Sequence, residues 1–177
     1  IHASEVEPWS QPGMPSKIIK WLGKEDAPLL LRYGAIPHMF GWGIAFARNC
    51  TPERFKANSL ANLHLALHSL KSLQEIGAET GIPYDRATKG VMKIYRSKES
   101  LDNAQRSSDF LARHGLTYAR ITADRALEIE PALKDTRSTL EGALYFERDE
   151  VGDSNKFGQG LAAACAAKGV QLRFGEK

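Results

Sequence analysis

Three carboxylates lie within five residues in the polar segment Asp149-Glu150-Val151-Gly152-Asp153. Carboxylate oxygens this close together can coordinate a cation or hold the amine of a substrate. The segment does not match an EF-hand loop, because the residues after it lack the terminal Glu. Asp153 before Ser154 is also a typical N-cap of a helix, and residue chemistry favours the cap. Asp149, Glu150 and Asp153 are therefore candidates for a substrate site, with the cap as the alternative for Asp153.

Two histidines, His64 and His68, stand four residues apart in a helical pattern, so their side chains share one helix face. This is the spacing of the zinc ligands in His-Glu-x-x-His, but Leu65 stands where that motif has its general-base Glu. The sequence offers no obvious third ligand. We therefore interpret the pair as polar residues beside the apolar stripe of Leu63 and Leu67, and we predict no metal site.

A short basic segment carries Lys17, Lys20 and Lys24 among apolar residues that include Trp21. On a helix of about two turns these residues would form a small basic amphipathic face. Such a face can rest on an anionic membrane surface. The alternative is ordinary packing of this face beneath a loop.

Motifs for phosphate binding or nucleophilic catalysis are absent from the sequence. It contains no Gly-x-Gly-x-x-Gly, Walker A or Gly-x-Ser-x-Gly pattern, and Gly158-Gln159-Gly160 precedes an alanine-rich helix instead of following a strand. Cys50 and Cys165 lie far apart without Cys-x-x-Cys spacing, which favours two ordinary thiols in a reducing compartment. These patterns identify no catalytic residue.

The composition is that of a soluble globular protein, with 42% hydrophobic and 25% charged residues in 177. It excludes collagen-like, disordered and disulfide-scaffold classes. Apolar runs such as 162–167 are too short to span a bilayer. The net charge of +3 comes from basic residues that alternate with acidic ones along the chain. Because a nucleic-acid binder concentrates its charge in a patch or stripe, we expect no nucleic-acid partner.

From Thr51 onward the apolar residues follow regular periods. Thr51 and Pro52 predict the start of a long amphipathic helix, which Gly81 ends. Strands and helices alternate after it. The predicted ranges are 90–96 (strand), 97–114 (helix capped by Ser97), 116–121 (strand), 122–130 (helix capped by Thr122), 140–146 (strand), 161–167 (alanine-rich helix that could lie close against a sheet) and 170–174 (strand).

The first fifty residues differ from the rest, since they contain most of the prolines and all three tryptophans and lack a sustained period. We interpret residues 1–50 as a long connection with short helices, of the kind that lines a site or covers another surface. Residues 51–147 are predicted to form an α+β body with antiparallel strands. Residues 148–177 are predicted to form a helix–strand pair of α/β type.

Seven short segments in a fixed order carry a family resemblance. They are 8–22, 27–29, 48–50, 79–85, 128–133, 142–144 and 149–153. With them the chain resembles the small subunit of bacterial D-amino acid dehydrogenase, an FAD-dependent oxidoreductase of the D-amino acid oxidase superfamily. The usual Asp-Glu-Thr-Gly-Asp-Cys of that family differs here at Val151 and Ser154. These departures keep open a related FAD amine oxidoreductase of the sarcosine or D-hydroxyproline type.

The resemblance implies how the predicted parts fit a larger enzyme. Residues 1–50 would connect from the FAD domain, residues 51–147 would be the substrate (cap) domain, and residues 148–177 would begin an incomplete α/β unit of the FAD domain. The pyrophosphate-binding turn is expected before the first residue and further parts of the site after the last. Ile1 matches the stretch nearest the flavin ring, so Ile1 and His2 are the candidates for cofactor contact.

The activity that the resemblance implies is oxidative deamination of D-amino acids to 2-oxo acids and ammonia, by hydride transfer to flavin and onward to a respiratory acceptor. The enzyme would be cytoplasmic, at the inner face of the bacterial inner membrane, with membrane contact through Lys17, Lys20, Trp21 and Lys24. We expect the fragment alone to be inactive and to bind no FAD. The alternative is a non-catalytic α+β interaction module derived from the same scaffold.

Overall fold

A computed structural model describes residues 2–24, 26–28, 34 and 36–175. Within them the secondary structure is mixed, with six α-helices, a 3-10 helix over Pro131–Thr139 and three antiparallel β-strands. The chain divides into two compact units: Val6–His64, and Ile1–Glu5 together with Leu65–Lys177.

In the unit Val6–His64 the described residues include two α-helices before the long one. Helix α1 spans Met14–Trp21 and follows Gly13, whose φ of 80° favours glycine. Helix α2 spans Ile36–Asn49 and carries Arg48 in its last turn, where a cation complements the exposed carbonyls. The ring of Trp42 stacks on that of Phe46, with 5.1 Å between centroids.

Helix α3 spans Pro52–Thr80 and confirms the predicted long helix. The Thr51 hydroxyl accepts a hydrogen bond from the Arg54 amide at 3.3 Å, as an N-cap does. Gly81 ends the helix with a φ of 63°. Leu63 of the predicted apolar stripe is buried, and so is Leu70, two turns further along the helix.

A three-stranded sheet forms the centre of the other unit, with β1 (Val91–Tyr95), β2 (Ala119–Thr122) and β3 (Gly142–Phe146) in the order β1-β3-β2. The register pairs Ala143 of β3 with Ile94 of β1 and with Ile121 of β2, so these three residues share one face. A buried apolar cluster that contains Ala143 extends from this face to residues of helix α5 (Ala123–Ile129). Helix α4 (Lys98–Ala112) also packs on β3 and brings the Leu101 side chain near Gly142.

The predicted caps of these helices are confirmed. The Ser97 side chain accepts from the Ser100 amide at the start of α4, and the Thr122 side chain accepts from the Arg125 amide at the start of α5. The strand predicted over 116–121 is shorter and spans 119–122. A 3-10 helix over Pro131–Thr139 was not predicted.

The C-terminal part corrects the sequence prediction. Helix α6 spans Ser154–Ala167, beginning well before the predicted residue 161, and none of its residues is buried. Its alanines are therefore not packed closely against a sheet. The prediction of a strand over 170–174 is wrong, because these residues have no strand structure. Alternating apolar residues form a strand only where a neighbouring strand supplies hydrogen-bond partners, and the described residues supply none there.

Candidate functional site

The three clustered carboxylates project from a loop, residues 147–153, whose backbone is tied to residues 84–87. Ala87 and Val151 exchange two backbone hydrogen bonds of 2.9 and 3.0 Å, and the Asp153 amide donates to the Tyr84 carbonyl at 2.7 Å. These bonds fix the loop next to the end of β3. The side chains that it carries therefore start from an ordered backbone.

Gly152 allows this close approach. A Cβ atom at position 152 would lie 2.6 Å from the Tyr84 Cδ2 atom and 3.2 Å from the Tyr84 carbonyl oxygen. Contact at 2.6 Å is far inside van der Waals distance. The loop thus needs glycine at this position to pack against the ring of Tyr84, which is itself buried.

Asp149 binds the backbone of residues 2–5, which we call the N-terminal segment. Its side chain is 2% exposed. One carboxylate oxygen accepts a hydrogen bond from the Ala3 amide at 2.9 Å, and the other accepts from the Ser4 amide at 3.3 Å. His2 Nδ1 lies 3.8 Å from Asp149 Oδ2. A buried carboxylate that is bonded to backbone amides in this way is a strong attachment point.

Lys93 of β1 holds the same segment from another side. Its ammonium donates to the Ser4 carbonyl oxygen at 2.7 Å and lies 2.9 Å from the Glu5 carboxylate. Asp149 and Lys93 thus fix the N-terminal segment through amides, a carbonyl and a side chain of three consecutive residues.

Glu150 is engaged by two other side chains. Arg86 donates through Nε and Nη2 to both carboxylate oxygens, at 2.6 and 2.8 Å, and the Gln74 amide of α3 donates at 2.6 Å. The hydrogen bonds from Arg86 are the main cause that lowers the pKa of Glu150, against burial, which raises it; Gln74 lowers it further. The same contact raises the pKa of Arg86. Glu150 is therefore held in its charged form.

Asp153 caps helix α6. Its Oδ1 accepts hydrogen bonds from the amides of Asn155 and Lys156, each at 2.9 Å. The structure thus confirms the cap for Asp153. The loop brings Asp149 and Glu150 to one place and directs Asp153 to the start of a helix.

A cavity of about 380 Å³ lies beside Asp149 and Glu150. Its lining mixes polar and apolar residues, among them Ala3, Gln74, Thr88, Leu116, Asp149 and Glu150. Two polar atoms of the N-terminal segment, His2 Nδ1 and Ser4 Oγ, are buried without a hydrogen-bond partner in the part of the chain that the structure describes. A cavity with this lining suits a small polar molecule.

The family model described as FAD dependent oxidoreductase (DAO) matches residues 29–177. The chain belongs to this family. Among curated relatives, the D-amino acid dehydrogenase of Paramagnetospirillum magneticum is 41% identical over 98% of this chain and 42% of its own length. That of Dechloromonas aromatica is 39% identical over 99% of this chain and 42% of its own length. The chain therefore spans about two fifths of the relatives it matches.

Among solved structures, the glycine oxidase from Geobacillus kaustophilus is similar to this family member with a TM-score of 0.47 and 28% identity. The match covers 70% of this chain and 31% of that one.

The other candidate residues from the sequence lie elsewhere. Ile1 is outside the described residues. His64 and His68 are exposed, and the described residues hold no group of three or more His, Cys, Asp or Glu side chains suited to a metal ion. Cys50 and Cys165 are free thiols, and burial raises the pKa of Cys50.

The basic residues Lys17, Lys20 and Lys24 are exposed, and Trp21 is half-buried. Together with five other side chains, Trp21 lines an apolar cavity of about 190 Å³ in the unit Val6–His64; the five are Trp9, Met14, Ile18, Trp42 and Phe46. No helix among the described residues is long and apolar enough to cross a membrane.

Sequence reasoning missed three residues of this site in the family member: Gln74, Arg86 and Lys93. The hydrogen-bond partner of each lies at least 64 positions away in the sequence, so local spacing does not predict it. Arg86 directly follows Asp85, the last residue of one of the segments that carry the family resemblance, and that position was the one available signal.

Proposed function

We propose that this chain is the central part of an FAD-dependent dehydrogenase that oxidatively deaminates D-amino acids to 2-oxo acids and ammonia. The observation that carries the proposal is the 41% identity to a D-amino acid dehydrogenase over 98% of the chain. The match to the family over residues 29–177 supports the same cofactor class. Since the chain spans 42% of that relative, the activity belongs to a longer polypeptide.

FAD fits the N-terminal segment in part. Buried polar atoms are nearly always hydrogen-bonded, and His2 Nδ1 and Ser4 Oγ are not bonded within the described residues. A polar group supplied from outside these residues would satisfy both atoms, and the isoalloxazine ring of FAD carries such groups. Ile1 and His2 remain our candidates for this contact. The sequence has no glycine-rich pyrophosphate turn, so the fit concerns the flavin end alone.

FAD, when bound, would supply the redox chemistry by accepting hydride from the substrate Cα. The residues of this chain would orient the substrate and exclude water. Asp149 and Glu150 line the cavity beside the N-terminal segment, which makes them better placed for a substrate site than Asp153, whose carboxylate caps α6.

The proposed division of the chain follows from this function. Residues 1–50 would connect from the FAD domain, residues 51–147 would form the substrate (cap) domain, and residues 148–177 would return to the α/β FAD domain. Helix α6, whose alanines are exposed or half-buried, would find its sheet in that domain.

The partners of the complete enzyme would be an amino-acid substrate, a respiratory electron acceptor and a membrane surface, at the cytoplasmic inner face of the bacterial inner membrane. Lys17, Lys20 and Lys24 are exposed around α1, and Trp21 lies among them. Helix α2 has no acidic residue and exposes aromatic side chains, with Phe40 at 67% and Trp42 at 57%. Basic residues beside exposed aromatic rings favour an anionic lipid surface.

A related FAD amine oxidoreductase acting on sarcosine or D-hydroxyproline is the second candidate. The observation that favours it is the departure from the usual family motif at Val151 and Ser154.

The test uses the complete polypeptide, with a panel of D- and L-amino acids, sarcosine and D-hydroxyproline, and a dye as artificial electron acceptor. We expect turnover of D-amino acids with release of 2-oxo acid and ammonia. Turnover of sarcosine or D-hydroxyproline alone would favour the second candidate. A purified complete protein without bound flavin would contradict both and favour a non-catalytic interaction module. The 177-residue chain alone is expected to be colourless and inactive and to bind no nucleic acid at physiological salt.

A further inference from the structure

We propose that Asp149 and Lys93 are positioning residues that hold the N-terminal segment in the register at which it meets the flavin. The inference rests on the proposed function, which puts this segment beside FAD. It assigns to Asp149 a role different from binding the substrate amine, since both of its oxygens already accept hydrogen bonds from backbone amides.

The first observation is how completely the segment is fixed. Asp149 accepts from the amides of Ala3 and Ser4, while Lys93 donates to the Ser4 carbonyl and pairs with Glu5. Apart from the Glu5 pair, these contacts use backbone N–H and C=O groups, and every residue type except proline possesses both. They set the position of the chain without depending on the side chains at positions 3 and 4, which are small.

The second observation is the burial of Asp149. A carboxylate with an exposed fraction of 2% is costly unless it is well bonded. Besides the two amides, the nearest cationic group found is His2, whose Nδ1 lies 3.8 Å away and is charged only when protonated. The stabilising contacts of this buried charge are thus made almost entirely with the segment 145 and 146 residues earlier in the chain.

The third observation is the support behind Asp149. The adjacent Glu150 is bound by Arg86 and Gln74, and Val151 is bridged to Ala87. Side chains from α3 and from the loop after it therefore fix the backbone on the C-terminal side of Asp149. Because Asp149 stands on an ordered loop, it can hold the N-terminal segment with the precision that hydride transfer requires.

The experiment compares Asp149→Ala, Asp149→Asn and Lys93→Met with the wild type and with a matched control, Asp85→Asn. Asp85 pairs with Lys156 on the surface, and asparagine tolerates its φ of 53°. The two readouts, both taken on the complete polypeptide well below its unfolding temperature, are amide hydrogen exchange of residues 2–5 and FAD affinity with the flavin absorption spectrum.

We expect faster exchange at Ala3 and Ser4 in Asp149→Ala, and weaker FAD binding by about tenfold, as two hydrogen bonds to a charged group are lost. Asp149→Asn keeps one acceptor oxygen and should fall between wild type and Asp149→Ala. Lys93→Met retains its apolar stem and should also weaken FAD binding, which preserves the test if Asp149→Ala fails to fold. Asp85→Asn should match the wild type in both readouts.

Two results would overturn the inference in different ways. Faster exchange with unchanged FAD affinity and an unchanged flavin spectrum would mean that Asp149 and Lys93 stabilise the segment without positioning it for FAD, while the proposed function would stand. A complete wild-type protein that binds no FAD would overturn the proposed function and this inference together. Unchanged exchange in Asp149→Ala would show that Asp149 does not hold the segment at all.

Discussion

Arg86 forms a bidentate ion pair with Glu150, with Nε donating to Oε2 at 2.6 Å and Nη2 donating to Oε1 at 2.8 Å. The side chain of Arg86 is 37% exposed and that of Glu150 is 7% exposed. The planar fork of arginine matches both oxygens of a carboxylate, which lysine cannot do. This contact joins the loop after β3 to the loop after α3.

Removing Arg86 should therefore destabilise the fold. Arg86→Ala removes two hydrogen bonds from a buried carboxylate, and we expect a loss of about 1 to 3 kcal/mol in the free energy of unfolding. Arg86→Lys should lose less. Urea denaturation followed by circular dichroism measures both. Lys168→Ala, which removes an exposed pair with Glu79, is the control and should cost less than about 1 kcal/mol. Equal losses for Arg86→Ala and the control would contradict the prediction.

Glu150 should make stability depend on pH in the acid range. Because the folded state lowers the pKa of Glu150, the unfolded state binds more protons at acid pH. The contribution is fully present above the ordinary Glu pKa of about 4.3 and is lost as the pH falls through the lower folded value. Asp102 and Asp124 also have lowered pKa values. The pH dependence of the wild type alone therefore does not isolate Glu150. We expect the difference in the free energy of unfolding between wild type and Glu150→Gln to shrink from pH 7 to pH 3. A difference that stays constant would refute this.

Two glycines of α6 should respond in opposite directions to the same substitution. A Cβ at Gly160 would lie 2.3 Å from the Ile82 Cγ2 atom, and Ile82 is branched at Cβ and cannot easily turn away. A Cβ at Gly158 meets no described atom within 4 Å. Gly160→Ala should destabilise by about 1 to 3 kcal/mol, while Gly158→Ala should stabilise by up to about 1 kcal/mol. Thermal unfolding of the two variants and the wild type measures these changes in stability. A change in the same direction for both variants would contradict the packing described.

The basic residues around α1 should direct the chain to anionic vesicles. Replacing Lys17, Lys20 and Lys24 by Glu should lower the affinity for anionic vesicles by more than about a hundredfold, since each lysine contributes about 1 kcal/mol near such a surface. Cosedimentation over a range of lipid concentrations measures this affinity. Zwitterionic vesicles should bind the wild type weakly. The control replaces three exposed lysines elsewhere, Lys56, Lys89 and Lys134, with the same change in net charge. If the control loses binding equally, the attraction is due to net charge and not to this surface.

Local signals in the sequence predicted most of the secondary structure. Thr51, Ser97 and Thr122 begin helices as predicted, because a capping side chain acts within three residues of its own position. The prediction of a strand over 170–174 was wrong because a strand depends on contacts that are distant in the sequence. The apolar alternation of these residues is local, but a strand is stable only beside a partner, and sequence patterns do not reveal whether a partner is present.

The candidate site divides in the same way. The carboxylate cluster at 149–153 was visible as a run of acids, and the cap by Asp153 followed from its position before Ser154. The binding of Ala3 and Ser4 by Asp149 was not predictable, since it joins residues about 145 positions apart through backbone amides. Backbone donors carry no sequence signature, so their partners become visible only in the fold.

The strand order β1-β3-β2 has a consequence for synthesis. The central strand, Gly142–Phe146, is the last of the three to leave the ribosome, and the two earlier strands bond to it and not to each other. Neither β1 nor β2 can join this sheet while the nascent chain ends before residue 142. The unit therefore assembles its sheet in one late step, and its earlier strands must stay free of other strand partners until then.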